Sequence, residues 1–475
     1  MAVLTRLRKI EYKWIVAVIF VVGLFLEIMD TTIVNVAIPK LAKDFNATPG
    51  GIEWIVLGYL LSLAIFIPAS GWIGDKVGSK KTFLFALVVF TVASALCGLA
   101  TSLSQLVAFR ILQGVGGGML TPVGTSMLYR VFPPAERARA STVLIIPTVI
   151  APAIGPIIGG LLIDNFSWRW IFYVNVPLGV VGFFFGFFLL KESKEETAGS
   201  FDLPGFLLSG VGLAGVLYAL SQAPEKGWTS QIVLIMGLGG LVLLAILVWV
   251  ETHIDEPMLT LRLYKDRMFR ASNMVNTLAY GSFAAFLFLF PQMIQSMLGY
   301  SALTSGLTSV PQALGVILMS QIVGKLYHTV GPRRLVTFGL VMVTLSNIPF
   351  IFITLHVSLW TLRGLMFSRG MAMSFSFVPL QAATYAKINL ADTGRASSIF
   401  STQRQVSAAL GVAVLATAYA SHMNHSLANG SSVHEAQLGG FHFAFLIATI
   451  LSAVGAIYAA IAIHDEDAAA TMVPR

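Results

Sequence analysis

Cysteine and charge are both scarce in this sequence. Its 475 residues include one cysteine, Cys97, and only 11% are charged. A single cysteine excludes a disulfide framework and any metal site built from several cysteines. With 56% hydrophobic residues and a mean hydropathy of +0.81, the composition excludes a soluble globular enzyme and a disordered chain. What remains is a membrane protein.

Sequence patterns for other chemistry are also missing. No glycine-rich loop followed by Lys and Ser or Thr occurs, which argues against direct use of ATP. His422, His425 and His434 fall in what reads as a solvated outer loop over 421–440, and their spacings match no compact metal site. We find no pairing of His with an acid near the membrane surface that would suit an enzyme. We therefore expect no cofactor, no metal and no enzymatic activity.

Long apolar runs are what the sequence has in abundance. A bilayer core about 30 Å thick needs roughly 20 apolar residues per helix. About fourteen such runs predict an all-α polytopic membrane protein. They cover residues 14–38, 52–72, 82–101, 105–127, 141–163, 170–190, 204–222, 231–250, 270–291, 302–323, 335–356, 360–385, 396–420 and 441–463.

The basic residues indicate an orientation. With the N-terminus inside, the predicted cytoplasmic segments hold about 22 of the 30 Lys and Arg residues, including Arg6, Arg8, Lys9 and Arg475, and the outer loops hold 4. Cytoplasmic loops retain positive charge, so both termini are predicted to be cytoplasmic in a bacterial-type plasma (inner) membrane. The net charge of +8 then reflects orientation, and we expect no nucleic-acid partner.

A weak internal repeat indicates two related halves. Residues 71–81 read GWIGDKVGSKK and residues 324–334 read GKLYHTVGPRR, so two glycines and a basic pair recur at one spacing. An arginine inside an apolar run also recurs, at Arg110 and at Arg363 or Arg369. We predict an N-terminal six-helix bundle over 1–190, an insert with two extra membrane helices and a cytoplasmic loop over 191–268, and a C-terminal six-helix bundle over 269–475.

Glu27 and Asp30 are the only acids in the interior of a predicted span. Each costs about 2.5–3.5 kcal/mol on insertion scales, so such residues usually face a cavity or a partner. They lie three residues apart on one helix face, and two carboxylates that close in poorly hydrated surroundings favour protonation of one of them. We predict proton coupling, with Arg110 biasing these acids. Structural roles stay open: an acid paired with Arg110, and Arg110 tied to backbone carbonyls.

The segment 71–81 predicts a conformational latch. Gly71 allows close helix packing and Gly78 a tight turn. Asp75 is suited to accept from a helix N-terminus or a basic side chain, a contact that forms in one conformation and breaks in another. An ordinary positive-inside loop would explain Lys76, Lys80 and Lys81, but not Asp75 and the glycines.

Several separated motifs resemble those of the major facilitator superfamily, specifically its fourteen-helix drug:proton antiporter branch, over essentially the whole chain. They are MDTTIVNVAIP at 29–39, the segment 71–81, RILQGVG at 110–116, GPIIGG at 155–160 and WRWIFYVNVP at 168–177. The resemblance implies the major facilitator fold, with two six-helix bundles, two additional helices and alternating access. It also implies export of small amphipathic or cationic drugs in exchange for protons.

The resemblance further implies that the motif with Gly155, Pro156, Gly159 and Gly160 seals an interface in exporters, although a purely structural helix would carry the same small-residue spacing. Candidate substrate contacts are harder to select, because packing and lipid-facing roles compete for every aromatic residue. The candidates are Gln113, Tyr280, Phe286, Phe375 and Phe377.

Other functions stay open. One alternative is a dedicated proton-coupled exporter or importer of one metabolite, siderophore or lipid-like compound. From another class come a membrane-embedded enzyme and a non-transporting receptor. We expect a monomer whose partners are a small-molecule substrate, protons and the lipid bilayer, with accessory efflux proteins as an open alternative.

Overall fold

A computed structural model describes residues 11–47, 49–195, 199–254 and 257–472. Arg6, Arg8, Lys9 and Arg475, on which the predicted orientation partly rests, lie outside these residues. Fourteen long helices follow one another along the described chain. They are α1 Tyr12–Asp44, α2 Trp54–Val77, α3 Ser79–Leu99, α4 Leu103–Val131, α5 Arg137–Asn165, α6 Asn175–Leu189, α7 Leu203–Lys226, α8 Gln231–His253, α9 Arg267–Gln292, α10 Ala302–Val330, α11 Pro332–Ile351, α12 Leu359–Thr384, α13 Thr393–Ala428 and α14 Val433–Ala462.

Each predicted span corresponds to one of these helices. Among the described residues, thirteen helices are long and apolar enough to cross a membrane. The exception is α12, which has 26 residues but carries Arg363 and Arg369 and several serines. Short residues at the helix starts explain where several helices begin, because their side chains accept a hydrogen bond from the first turn. These residues are Ser102, Asp266, Ser301, Ser358 and Ser432.

The outer loop predicted over 421–440 is wrong. Helix α13 continues to Ala428 and α14 begins at Val433, so only residues 429–432 connect them. Ser432 and Glu435 form a capping box, in which each side chain binds the other residue's backbone N–H. This cap starts α14 eight residues before the apolar run does, and it places His422, His425 and His434 on helices.

The chain divides into two compact units that are interleaved along the sequence. The first comprises Met1–Gly210, Ile246–Leu261 and Ile388–Ser401, and the second comprises Val211–Ala245, Arg262–Lys387 and Thr402–Arg475. Helices α7, α8 and α13 each contribute residues to both units. The domain limits at 190 and 268 that the sequence repeat indicates stay predictions.

Within the first unit, α2 packs most extensively on α4, α3 on α4, and α1 on α5. Within the second, α10 packs most extensively on α12, α11 on α14, and α11 on α12. In each unit, therefore, the second long helix of the bundle contacts the fourth, and the third contacts the fourth and the sixth. This shared pattern agrees with the internal repeat in the sequence.

Candidate functional site

Asp30 is the centre of a buried polar network in the first unit. Its side chain is fully buried and lies on α1 among three donors from two other helices, α4 and α6. Arg110 Nη1 donates to Oδ2 at 2.5 Å, Gln113 Nε2 to Oδ1 at 2.9 Å, and Asn175 Nδ2 to Oδ1 at 2.8 Å. Both carboxylate oxygens of Asp30 thus accept hydrogen bonds from buried donors.

Arg110 is held by more than its ion pair with Asp30. Its Nε donates to the backbone oxygen of Ile55 at 3.1 Å and its Nη1 also donates to Gln113 Oε1 at 2.7 Å. The guanidinium lies 4.2 Å from the centre of the Tyr59 ring, where the ring's electron density attracts a cation. The guanidinium therefore has a backbone acceptor and an amide acceptor in addition to Asp30.

A glycine, Gly114, allows helices α2 and α4 to pack closely beside this network. A Cβ atom on Gly114, next to Gln113, would lie 2.6 Å from the backbone oxygen of Tyr59, closer than real Cβ atoms approach. Only a residue without a side chain lets α4 approach α2 this closely. The pair Gln113-Gly114 thus combines a ligand for Asp30 with the packing that places it.

Asn175 is a direct partner of Asp30 that the sequence analysis missed, and it links Asp30 to further polar groups. It is fully buried, and its Nδ2 also donates to Ser94 Oγ at 3.1 Å, which in turn donates to the backbone oxygen of Phe172 at 2.9 Å. Cys97 Sγ lies 3.8 Å from Gln113 Oε1. A signal was present, because Asn175 lies within the motif at 168–177 and a buried asparagine needs polar partners.

Glu27 has a different partner from Asp30, although both lie on one face of α1. Thr121 Oγ1 of α4 donates to Glu27 Oε2, and Thr31 Oγ1 binds the Glu27 backbone oxygen at 3.0 Å. Glu27 is 9% exposed, whereas Asp30 is 0% exposed. Asp30 thus lies against Arg110 and Glu27 against Thr121, at two different positions along α4.

Asp75 of the segment 71–81 contacts a basic side chain and the first turn of a helix, the two kinds of partner that the sequence indicates. Its Oδ1 accepts from Arg130 Nη2 at 2.6 Å, and both side chains are largely buried. Gly394 lies in the first turn of α13, and a Cβ atom there would be 2.6 Å from the same Oδ1. Arg130 was not singled out by sequence, because it resembles the other basic residues that follow the apolar runs.

The same first turn of α13 also packs against Gly71. A Cβ atom on Gly71 would lie 2.6 Å from the Gly394 backbone oxygen and from Ser398 Oγ. Farther along, Lys76 Nζ donates to the Gly199 backbone oxygen at 2.8 Å. Gly71 and Asp75 therefore form one continuous contact surface for residues 394–398.

Glu192 caps the remainder of the segment. Gly78 has φ = 116°, a conformation that favours glycine. The backbone N–H groups of Lys80 and Lys81, in the first turn of α3, donate to Glu192 Oε1 and Oε2 at 3.0 and 3.3 Å. The Glu192 carboxylate is favourable there because a helix N-terminus attracts negative charge. Lys80 Nζ adds a bond to the Phe187 backbone oxygen at 2.7 Å. Glu192, in the residues that follow α6, thus holds this turn in place.

The glycines of the motif at 155–160 differ in what they contact. A Cβ atom on Gly159 would lie 2.9 Å from Ile33 Cγ1 of α1, and Gly155 also packs against α1. Nothing lies within 4 Å of such an atom on Gly160. Pro156 lies inside α5, which continues through it. Two of the four residues therefore form the contact between α5 and α1.

The aromatic candidates do not form a single cluster. The Tyr280 and Phe377 rings lie 6.2 Å apart, centre to centre. Phe286 is 1% exposed and its ring centre lies 3.7 Å from the Arg369 guanidinium. Phe375 packs instead against an exposed phenylalanine of α11, at 5.2 Å. Gln113 belongs to the Asp30 network, so the five candidates occupy four separate surroundings.

Comparisons with known proteins agree with this architecture. The family model described as Major Facilitator Superfamily matches residues 20–412 and, in a second match, residues 274–473. The chain is 31% identical over 402 residues to the uncharacterized MFS-type transporter YhcA of Bacillus subtilis, covering 85% of this chain and 76% of the relative. It is 34% identical over 405 residues to the multidrug resistance protein B homolog of Mycobacterium tuberculosis, covering 84% of this chain and 74% of the relative.

A solved structure supports the fold independently. The crystal structure of the human organic anion transporter MFSD10 matches with a TM-score of 0.65 at 14% sequence identity, covering 93% of this chain and 100% of that one. At that identity the similarity concerns the fold alone. The prediction of an all-α polytopic membrane protein with this fold is confirmed.

Proposed function

Because this chain belongs to the major facilitator superfamily, we propose that it is a proton-coupled secondary transporter that exports small amphipathic or cationic compounds by alternating access. The observation that carries the proposal is the Asp30 carboxylate, buried within a membrane-spanning helix and paired with Arg110 at 2.5 Å. A relative bears the name multidrug resistance protein B homolog, which supports drugs as the substrate class.

The coupling step follows from the hydrogen bonds of Asp30. A proton arriving from outside binds a carboxylate oxygen, which neutralises Asp30 and ends its ion pair with Arg110. Arg110 then keeps Ile55 and Gln113 as acceptors. Release of the proton inward restores the anion and the pair. Protonation thereby changes the contact between α1 and α4, and a substrate that favours one of the two arrangements exchanges with the proton.

The segment 71–81 supplies a contact that such a cycle must break and remake. Asp75 lies between Arg130 and the first turn of α13. Separating them exposes a carboxylate and a guanidinium to water, which compensates for much of the lost ion pair. Such a contact suits a latch because its two states differ little in free energy. We place the segment on the cytoplasmic side of the plasma membrane, as the distribution of basic residues favours.

The test uses purified protein and two matched substitutions on α1. Asp30→Asn removes the coupling carboxylate, whereas Asp44→Asn removes an acid at the end of the same helix, which pairs with Lys40 at 3.2 Å. We expect wild type and Asp44→Asn to release protons on addition of ethidium or tetraphenylphosphonium, and to transport these cations in proteoliposomes with a pH gradient. Asp30→Asn should do neither, while still inserting into the membrane.

Normal gradient-driven export by Asp30→Asn would overturn the proposed coupling. Glu27→Gln tests the second acid in the same assay. We expect a smaller loss because Glu27 is 9% exposed and accepts from Thr121, whereas Asp30 is fully buried against Arg110. A susceptibility panel of diverse toxic cations separates a multidrug exporter from a carrier dedicated to one compound, which would protect against few of them or none.

A further inference from the structure

Helix α12 carries a second buried arginine, and its surroundings are neutral. Arg369 is 1% exposed, so it does not extend to a helix end. Its Nε donates to Asn347 Oδ1 at 3.0 Å, and its Nη1 donates to Gln312 Oε1 at 3.0 Å and approaches Met373 Sδ at 3.5 Å. The Phe286 ring lies against the guanidinium at 3.7 Å. Among the described residues, no carboxylate lies within ion-pairing distance of it.

The contrast with Arg110 is one of charge rather than of geometry. Both guanidinium groups are buried, both bind a glutamine oxygen, and both lie against an aromatic ring. Arg110 has Asp30 as a counter-charge, and Arg369 has only amide and thioether groups. A buried cation without a counter-charge is costly, so its retention calls for an explanation.

The sequence shows that the neighbouring helices cannot supply the missing anion. Between Asp266 and Asp392 there is no acidic residue, and this stretch contains the whole of α9, α10, α11 and α12. In α14 the one acid is Glu435, which caps the helix start at Ser432. No side-chain rearrangement within α9 to α12 would bring a carboxylate to Arg369.

Hydrogen bonds hold the Arg369 guanidinium in place through Nε and Nη1. Asn347, which binds Nε, also contacts Ser452 Oγ at 3.5 Å through its Nδ2, so α11 and α14 together fix its oxygen. None of the hydrogen bonds among the described residues uses Arg369 Nη2. Beside it, the Phe286 ring packs with the rings of Phe350 at 4.9 Å and Phe445 at 5.3 Å. A fixed cationic donor thus adjoins a buried aromatic cluster.

We propose that Arg369 binds the carboxylate of an amphipathic substrate, whose apolar part packs on the Phe286 side of the site. A carboxylate accepts from a guanidinium with charge-assisted hydrogen bonds and supplies the missing counter-charge. The inference rests on the proposed transport function and extends its substrates from cations to aromatic acids and zwitterions. A small inorganic anion offers the same charge, and the experiment separates the two sources.

The test measures binding to the purified full-length protein by isothermal titration calorimetry. The probes are 2-naphthoate and its neutral counterpart 2-naphthamide, which share the ring system. We expect naphthoate to bind at least about tenfold more tightly than naphthamide, which is the difference that one charge-assisted hydrogen bond makes. Arg369→Gln should remove this preference. Arg363→Gln, on the same helix but stacked on Trp360 at 4.7 Å, should keep it.

Two further measurements keep the test decisive. Arg369→Lys retains the charge but not the planar fork, so we expect an intermediate preference from it even if Arg369→Gln does not fold. Equal affinities of wild type for the two probes would overturn the proposal. Binding of chloride at Arg369 without any preference for naphthoate would assign the site to inorganic anions and overturn the substrate role. Export of ethidium unaffected by naphthoate would leave the proposed function intact in either case.

Discussion

The Asp30–Arg110 pair allows a quantitative test of whether its two charges act as one unit. We consider Asp30→Asn, Arg110→Gln and the double substitution. Asparagine offers one oxygen where the carboxylate offers two, and three donors converge on them. Asp30→Asn therefore leaves a buried donor unmatched and the Arg110 charge uncompensated. Removing one member of a buried pair typically costs about 3–5 kcal/mol.

Arg110→Gln leaves the opposite charge behind. The Asp30 anion then keeps Gln113 and Asn175 as donors but loses its cation, and we expect a loss of stability of about 3–5 kcal/mol. The double substitution removes both charges, so it should cost no more than either single one. The coupling energy between the two positions is then at least about 3 kcal/mol in magnitude, the cost of the less damaging single substitution.

The assay is reversible unfolding of the purified protein in mixed micelles by sodium dodecyl sulfate, followed by circular dichroism. Lys40 and Asp44, an exposed pair at the end of the same helix, provide the control cycle, for which we expect about 0.3–0.5 kcal/mol. Additive effects of the Asp30 and Arg110 substitutions would refute the reasoning, because they would mean that neither residue depends on the charge of the other.

Two further predictions follow from the contacts of the first unit. If the bond between Asp75 and Arg130 acts as the proposed latch, Asp75→Asn should lower the maximal transport rate with little change in the apparent KM. Initial rates against substrate concentration test this, and a change confined to KM would contradict it. Gly159→Leu should destabilise the protein by about 1–3 kcal/mol through overpacking against Ile33, whereas Gly160→Leu should have little effect. The same unfolding assay compares these two variants, and equal losses would contradict the assigned packing.

The helices could be predicted from sequence because lipid imposes a length and a composition on each span. Their ends could not, because a helix does not stop where its apolar run stops. Helix α14 shows this: its apolar run begins at 441, but the capping box of Ser432 and Glu435 starts the helix at Val433. Capping depends on polar residues, which a search for apolar runs ignores.

The central pair of the candidate site was accessible from sequence for a related reason. So few charged residues lie inside the spans that Asp30 and Arg110 each have few other possible ion-pair partners. The neutral members of the network were not accessible in this way. A threonine or serine in a helix often binds its own backbone, as Thr91 does with the Leu87 oxygen at 2.6 Å. Sequence alone does not separate such residues from Ser94, whose partners lie on other helices.

Arg369 shows how a structural contact changes the meaning of a sequence pattern. The repeat left Arg363 and Arg369 as equal counterparts of Arg110, and only packing distinguishes the buried one, Arg369. Once it is identified, the lack of acids between 267 and 391 becomes informative, because one half of the repeat balances its buried arginine with Asp30 and the other does not. If both proposals hold, Asp30→Asn should abolish proton coupling without abolishing naphthoate binding. Arg369→Gln should do the reverse, since each arginine would then serve a different anion.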